Sequence, residues 1–186
     1  MLASIQIRYR GPVPGSMNLT QREFNDLVRE AWLQTGEYWH SQFAAKHFTH
    51  EGAQEYGYAP RSGDAGTPAA DDFWTSYTGR KQYKFGHTLP LVLTGELRQC
   101  TLTFHRVEAT ATTNRSRCRV VLPMSQKANF RNPHSDPRLD MREELTRISE
   151  PEAVELVAVH EVAFQEAFDR LESQGRVSVA GYFHET

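Results

Sequence analysis

Two segments of the chain place apolar residues three and four positions apart, which is the spacing of an amphipathic helix. In the first segment, Thr20 and Glu23 form a T-x-x-E capping box, the signature of a helix start. An apolar stripe follows, with Tyr38 and Phe43 nearby, and it consists of Phe24, Leu27, Val28, Ala31, Trp32, Thr35 and Trp39. The pattern predicts one long helix over residues 21–45.

The second amphipathic segment lies near the end of the printed sequence. Ser149 and Glu152 form an S-x-x-E box, with Pro151 in the first turn, where proline is tolerated. Helices commonly end at a glycine such as Gly175. The apolar stripe between these signals consists of Val157, His160, Phe164, Ala167, Phe168 and Leu171. A second long helix is therefore predicted.

Alternation of apolar and polar residues predicts a small antiparallel sheet. Residues 4–9 alternate and predict a short strand. In the segment 101–106, one face of a predicted strand carries Leu102, Phe104 and Arg106, and the other carries Thr101, Thr103 and His105. A turn over residues 111–117 and a return strand over 118–123 complete a predicted β-hairpin. The expected fold is α+β, with this sheet packed against two long amphipathic helices in a single domain, residues 1–186.

Several segments between these elements lack periodicity. Residues 60–72 and 124–140 predict long flexible surface loops, and residues 176–186 predict a C-terminal strand or arm. A short helical turn ended by Gly57 precedes the first loop, and a short helix or irregular arm over residues 72–86 follows it. Loops longer than about 12 residues are unusual in a compact domain, so we expect partners to complete part of the fold.

The composition is that of an ordinary globular protein, because 39% of the 186 residues are hydrophobic and 24% are charged. The net charge of -2 disfavours a generally basic nucleic-acid-binding surface. No signal peptide or membrane-spanning run is found, so we expect a soluble protein made in the cytoplasm. Cys100 and Cys118 are too few for a disulfide framework. We expect free, buried thiols, although the two predicted neighbouring strands would permit a bridge.

Three histidines raise the question of a metal site. His40 precedes His47 by two helical turns, and His47 and His50 form an H-x-x-H pair. A zinc site needs three or four converging ligands, and the pair lacks the glutamate of the metalloprotease motif. The sequence therefore favours a protein with no metal, no cofactor and no enzymatic activity. A metal-dependent hydrolase or nuclease that uses these histidines is the alternative, and His160 is expected to be a core histidine.

The chain carries no other arrangement typical of catalysis. The acidic pairs Asp71–Asp72 and Glu143–Glu144 are sequence neighbours, whose side chains point apart in a helix or strand. The sequence contains no nucleophile elbow, redox motif, dinucleotide-binding motif or phosphate loop. These observations give no support to an acid–base or nucleophilic mechanism.

A cluster of basic and aromatic residues lies in the middle of the chain. It consists of Arg80, Lys81 and Lys84 beside Tyr77, Tyr83 and Phe85. Such a cluster can stack on single-stranded nucleic acid, and it is equally typical of a protein–protein interface. The acidic balance of the whole chain favours the interface.

The segment "PLVLTGELRQ", residues 90–99, resembles a Thr-Gly-x-Leu-Arg signature of tail-component proteins of tailed bacteriophages. These are called tail-completion, minor tail or virion-morphogenesis proteins. A Tyr-Gly-Tyr-x-x-Arg segment and a Lys-rich stretch precede the signature, and "DMREELTRISEPEAVELVAV" is similar to the family's closing acidic segment. The resemblance extends over roughly residues 40–172.

This resemblance implies a non-enzymatic structural protein at the neck or head-proximal end of the tail. The implied partners are other neck and tail proteins, such as the connector or stopper, the tail terminator or the tail tube. Self-association in a ring, often sixfold, is also implied, and the ring allows non-specific contact with passing DNA. The implied location is the virion after assembly in the host cytoplasm, without a membrane. A transient head-morphogenesis factor is a further alternative.

We expect the Thr-Gly segment to act as an interaction site. Thr94 is expected to cap a short turn, Gly95 to permit an unusual backbone path, and Leu97 to point inward. Arg98 would then project towards a carboxylate or carbonyl of a neighbouring protein. The predicted interaction residues are Thr94, Gly95 and Arg98, together with Arg80, Lys81 and Lys84.

Overall fold

The fold consists of helices and small antiparallel sheets, which confirms the predicted α+β class. In a computed structural model of the protein, the described residues are 2–5, 19–64, 72–123, 129–132 and 138–175. Within these ranges the helices are α1 (Gln21–Gln42), α2 (His50–Glu55), α3 (Tyr77–Phe85), α4 (Glu96–Thr103), α5 (Met141–Glu144) and α6 (Glu150–Ser173). The strands are β1 (Leu2–Ile5), β2 (Arg106–Thr112), β3 (Arg115–Val121), β4 (Arg131–Asn132) and β5 (Leu139–Asp140).

Two compact units make up the chain, and each has its own set of internal contacts. Among the described residues, the sheet unit comprises 2–5, 19–39, 106–121 and 150–175. The central unit comprises 40–64, 72–105, 122–123, 129–132 and 138–149. The expectation of one domain over residues 1–186 stays a prediction.

The sheet unit contains a three-stranded sheet of order β1-β3-β2, in which both pairs of strands are antiparallel. Cys118 of β3 lies opposite Ile5 of β1 and Ala109 of β2. β2 and β3 form the predicted hairpin. Because the strands pair as far as their adjacent ends, the turn contains only residues 113–114 and is shorter than the predicted 111–117.

Helix α1 begins at the predicted capping box. The Glu23 N–H donates to Thr20 Oγ1 at 3.3 Å, and the Thr20 N–H donates to Glu23 Oε2 at 3.0 Å. These bonds satisfy two of the donors that a helix start leaves without partners. The helix ends at Gln42, slightly before the predicted residue 45, and the long first helix is confirmed.

The core of the sheet unit lies between α1, α6 and one face of the hairpin. Its buried residues are Leu19, Leu27, Val28, Ala31, Trp32, Cys118, Ala163, Phe164, Ala167 and Phe168. Gly36 of α1 approaches the hairpin so closely that an added Cβ would lie 2.5 Å from Val107 Cγ1 and 2.8 Å from Cys118 Sγ. A glycine is therefore needed at this contact, and the predicted packing of a small sheet on two long helices is confirmed.

Helix α6 confirms the second long helix, and Gly175 after it has a φ of 68°. The predicted place of Val157 on the buried stripe is wrong, because Val157 is 38% exposed and Leu156 is buried instead. Leu156 precedes the buried His160 by four residues and so shares its face of the helix. No described helix is long and apolar enough to cross a membrane.

The predicted strand over residues 101–106 is wrong in its first part, because α4 continues to Thr103 and β2 begins only at Arg106. Leu97 and Thr101 are both buried and lie four residues apart, which is the spacing of one helix face. The alternation of apolar and polar residues here is too short to distinguish a strand from a helix.

Both cysteines are free, as expected. Cys118 is buried in the core of the sheet unit, and this burial raises the pKa of its thiol to about 12. Cys100 is only half-buried and lies in α4, so the predicted position on a strand beside Cys118 is wrong.

Helices α2 and α3 of the central unit begin at side-chain caps and end near glycines. Thr49 Oγ1 accepts a hydrogen bond from the first turn of α2, and Ser76 Oγ accepts one from the first turn of α3. The predicted helical turn before Gly57 is α2, and Gly57 has a φ of 59°. The predicted short helix within residues 72–86 is α3, preceded by a 3-10 turn at Phe73–Thr75.

Some predicted segments lie partly or wholly outside the described residues. These are residues 6–9 of the first predicted strand, 65–71 of the first predicted loop, and the arm at 176–186. In the predicted second loop, residues 124–128 and 133–137 also lie outside, but β4 and β5 form a short antiparallel pair. This pair is regular structure that the sequence did not indicate, and the rest of the predicted loop over residues 124–140 stays a prediction.

Candidate interaction site

The junction, residues 86–98, connects α3 with α4 through a backbone that enters the left-handed region three times. The φ angles are 73° at Gly86, 54° at Leu91 and 82° at Gly95. Among the described residues, Leu91 is the one non-glycine residue with positive φ, a conformation that costs about 1–2 kcal/mol. Leu91 and Val92 are buried, so packing against the central unit holds this backbone in place.

Gly95, and not Thr94, is the residue that precedes the first turn of α4. Thr94, which was predicted to cap this turn, lies one position before the N-cap residue of α4. A Cβ added to Gly95 would meet no atom within 4 Å, so the positive φ and not a lack of space favours glycine here. The predicted unusual backbone path at Gly95 is confirmed.

The first turn of α4 presents one side chain inward and the next outward. Leu97 is 4% exposed and is anchored in the central unit, whereas the neighbouring Arg98 is exposed. Leu97 was predicted to point inward and Arg98 to project outward, and both side chains do so. The exposed guanidinium of Arg98 offers several N–H donors of the kind that bind carboxylates and carbonyls.

The junction forms one wall of a cleft in the central unit with a volume of about 1370 Å³. Leu91, Leu93, Thr94 and Leu97 line this wall. Other walls are formed by the segment from Tyr58 to Asp64, by α3 and the 3-10 turn before it, and by residues Phe130, Leu139 and Met141. The lining is largely apolar, and Arg61, Asp64 and Lys81 are among its charged residues.

Helix α3 divides the predicted basic cluster between its two faces. Arg80 and Lys84 are exposed, as an interaction surface requires. Lys81 is buried, its ammonium donates to the Leu89 carbonyl, and Nζ lies 5.7 Å from the centre of the Tyr77 ring. Burial lowers the pKa of Lys81 to about 8. Lys81 was predicted as an interaction residue together with Arg80 and Lys84, but its buried ammonium joins α3 to the junction from inside.

A buried ion pair beside the cleft was not predicted from the sequence. Glu144 accepts hydrogen bonds from Arg61, at 2.9 Å to Oε1 and 2.5 Å to Oε2, and its Oε1 also accepts the Ala59 N–H at 3.0 Å. Arg61 belongs to the Tyr-Gly-Tyr-x-x-Arg segment, but the two partners lie 83 residues apart. Their pairing joins the segment after α2 to α5 and holds one wall of the cleft.

The three histidines of the alternative metal site have separate neighbours. The His40 Nε2–H donates to the Thr101 carbonyl at 2.7 Å, and the His50 ring lies 3.1 Å from the Thr88 hydroxyl. His47 stacks on Tyr56 with ring centres 4.1 Å apart, and burial lowers its pKa to about 4. Among the described residues, no group of three His, Cys, Asp or Glu side chains could hold a metal ion.

His160 lies in the core of the sheet unit, as predicted. Its ring packs edge-on against Trp32, with ring centres 4.7 Å apart. Burial lowers the pKa of His160 to about 4, so the ring is neutral at physiological pH. This position suits packing in the core.

The chain matches no protein-family model, no curated protein and no solved structure. The features that bear on its function are therefore the junction, the cleft and the exposed basic side chains. Chemically, these features offer a fixed cation at Arg98, a largely apolar concave surface beside it, and an exposed face of α3.

Proposed function

We propose that the protein is a structural component of the virion of a tailed bacteriophage, located at the neck or head-proximal end of the tail. It acts there through contacts with connector or stopper, tail-terminator or tail-tube proteins, and through self-association in a ring. The observation that carries this proposal is the junction. The segment that resembles the phage signature has a left-handed Gly95, a buried Leu97 and an exposed Arg98.

A side chain that is held rigidly before it binds loses less entropy on binding. A side chain on a loop loses conformational freedom when it binds, and this loss weakens the complex. Arg98 instead extends from a helix whose first turn is anchored by Leu97 and whose preceding backbone is held by the buried Leu91. This rigid support of Arg98 reduces the entropy lost on binding. It suits a contact that many copies repeat in an assembly.

No feature of the described residues favours the hydrolase or nuclease alternative over this proposal. His40, His47 and His50 contact different neighbours, and the cleft is lined mainly by aromatic, aliphatic and small polar residues. A transient head-morphogenesis factor would use the same surfaces. Mass spectrometry of purified virions distinguishes the two structural roles, because the proposed component stays in the mature particle and the transient factor does not.

The test of the proposal is Arg98→Ala in the phage or prophage that encodes the chain. Removing an interface arginine of this kind costs about 2 kcal/mol of binding, so we expect a drop of about tenfold or more in complete, tailed particles seen by electron microscopy. The matched control is Gln99→Ala, because Gln99 is the next exposed residue of the same helix. Both variants should keep the circular dichroism spectrum and melting temperature of the unchanged protein. A normal yield of particles from Arg98→Ala would contradict the proposed role of the junction.

A further inference from the structure

One exposed surface of the central unit combines positive charge with aromatic rings. This basic-aromatic surface consists of Trp74, Arg80, Tyr83 and Lys84, and the first three line a shallow pocket of about 390 Å³. Tyr83 is 86% exposed and Trp74 is 46% exposed, which is unusual for large aromatic side chains. The sequence of α3 contains no acidic residue, so nothing within the helix neutralises Arg80 and Lys84. Exposed Trp, Tyr and Arg together are typical of binding surfaces.

An exposed surface of the sheet unit has the opposite charge. On α6, Val154, Ala158 and Val162 follow one another at intervals of four residues and form a stripe on the outer face. Val154 is 68% exposed and Val162 is 58% exposed. Glu161 and Glu166 are exposed beside the stripe, and α6 as a whole contains seven acidic residues and one arginine. This acidic-apolar surface is separate from the face of α6 that fills the core.

We propose that the basic-aromatic surface of one copy of the chain binds the acidic-apolar surface of a second copy. The Trp74 and Tyr83 rings would cover the valine stripe, and Arg80 and Lys84 would face Glu161 and Glu166. Because each surface carries both apolar side chains and charges of one sign, the two are complementary in both respects. Single-stranded nucleic acid would satisfy the cations of α3 but would leave the valine stripe uncovered.

The geometry of such a contact determines the kind of assembly. Two different surfaces meet, so the contact can repeat head-to-tail into a closed ring or an open filament, and it can also form twice across a two-fold axis in a dimer. The inference deepens the proposed function. It rests on that function for one point, which is that the assembly belongs to a virion. It names the surfaces that join neighbouring subunits, whereas the junction faces other proteins.

Charge reversal of each surface gives a direct test with the purified full chain. Variant A is Arg80→Glu with Lys84→Glu, and variant B is Glu161→Lys with Glu166→Lys. Either variant alone brings like charges together, so the dissociation constant for self-association should rise at least about tenfold at physiological salt. An equimolar mixture of A and B should associate again, because every contact in an alternating assembly then joins opposite charges. Light scattering and sedimentation at increasing protein concentration measure these states.

A matched control separates the surface from overall charge. Arg22→Glu with Arg115→Glu changes the net charge as variant A does, and both residues are exposed outside the two surfaces. This control should associate like the unchanged protein. Self-association of the unchanged protein should also weaken as salt is raised, because screening reduces attraction between exposed charges.

Three results would overturn the inference: a monomeric unchanged protein at all concentrations, variants that associate normally, or a mixture of A and B that stays dissociated. Salt-sensitive binding of a single-stranded oligonucleotide that variant A loses, with self-association intact, would assign the α3 surface to nucleic acid instead. The outcome is separable from that of the proposed function, because Arg98 belongs to neither surface. If variants A and B associate with each other as expected but the protein is missing from purified virions, only the proposed phage role is contradicted.

Discussion

Removing the charge of Glu144 should destabilise the central unit and loosen one wall of its cleft. Both carboxylate oxygens accept hydrogen bonds from Arg61, and Oε1 also accepts the Ala59 N–H. Glu144→Gln preserves the size of the side chain but leaves the Arg61 guanidinium without a carboxylate. The side chains of Arg61 and Glu144 are 14% and 1% exposed, so water can replace little of the lost interaction.

The expected magnitude follows from this burial. Removing one partner of a buried ion pair costs about 3–5 kcal/mol, and the partial exposure of Arg61 places Glu144→Gln at about 3 kcal/mol of unfolding free energy. Replacing both partners with apolar residues, Arg61→Met with Glu144→Leu, removes the unpaired charge and should be less damaging than the single change. The control is Glu143→Gln, because the pairing of exposed Glu143 with Arg147 contributes only about 0–1 kcal/mol.

Two measurements check this reasoning, one global and one local. Urea-induced unfolding followed by circular dichroism gives the change in unfolding free energy for each variant. Hydrogen exchange of the Ala59 amide reports on the wall of the cleft itself, and Glu144→Gln should speed this exchange by about 100-fold. A loss below about 1 kcal/mol for Glu144→Gln, or a double variant less stable than Glu144→Gln, would refute the role assigned to the pair.

The remaining predictions concern acid stability and the junction. Acidification should destabilise the protein between pH 6.5 and 4, because burial lowers the folded pKa values of His47 and His160 from 6.5 to about 4. The folded state then binds fewer protons than the unfolded state, so each histidine should remove about 2 kcal/mol of stability by pH 5. His160→Leu should flatten this dependence in urea titrations at several pH values, and an unchanged slope would contradict the burial of a neutral ring. Gly95→Ala should cost about 1 kcal/mol because of the positive φ, and Gly95→Asn should cost less. Thermal unfolding measures both changes, and equal stability of all three proteins would show that the left-handed backbone is not needed.

The junction illustrates what could be predicted of the candidate site and what could not. The glycine at position 95 indicated an unusual backbone, and the neighbouring Leu97 and Arg98 indicated one buried and one exposed side chain. These predictions concern adjacent residues, whose directions depend on local geometry. The burial of Lys81 was not predicted, because its partner is the Leu89 carbonyl on the far side of the Gly86 turn. A sequence in which basic and aromatic residues alternate does not show which of these side chains face the core.

The sequence by itself determined the elements whose signals are local. The capping box at Thr20 starts α1, the three-and-four spacing of apolar residues produces α1 and α6, and alternation with a polar turn produces the hairpin. Steric limits and hydrogen-bond periodicity act over a few residues, so a short stretch of sequence is enough to specify these helices and this hairpin.

Only the tertiary structure decided the features that depend on distant parts of the chain. The short segment of α4 is compatible with a strand or a helix, and the burial of Leu97 and Thr101 in the central unit selects the helix. Arg61 and Glu144 meet across 83 residues, and their pairing depends on how the chain returns to form the cleft. The free energy of such contacts comes from desolvation and pairing between remote segments, which a local pattern of residues does not encode.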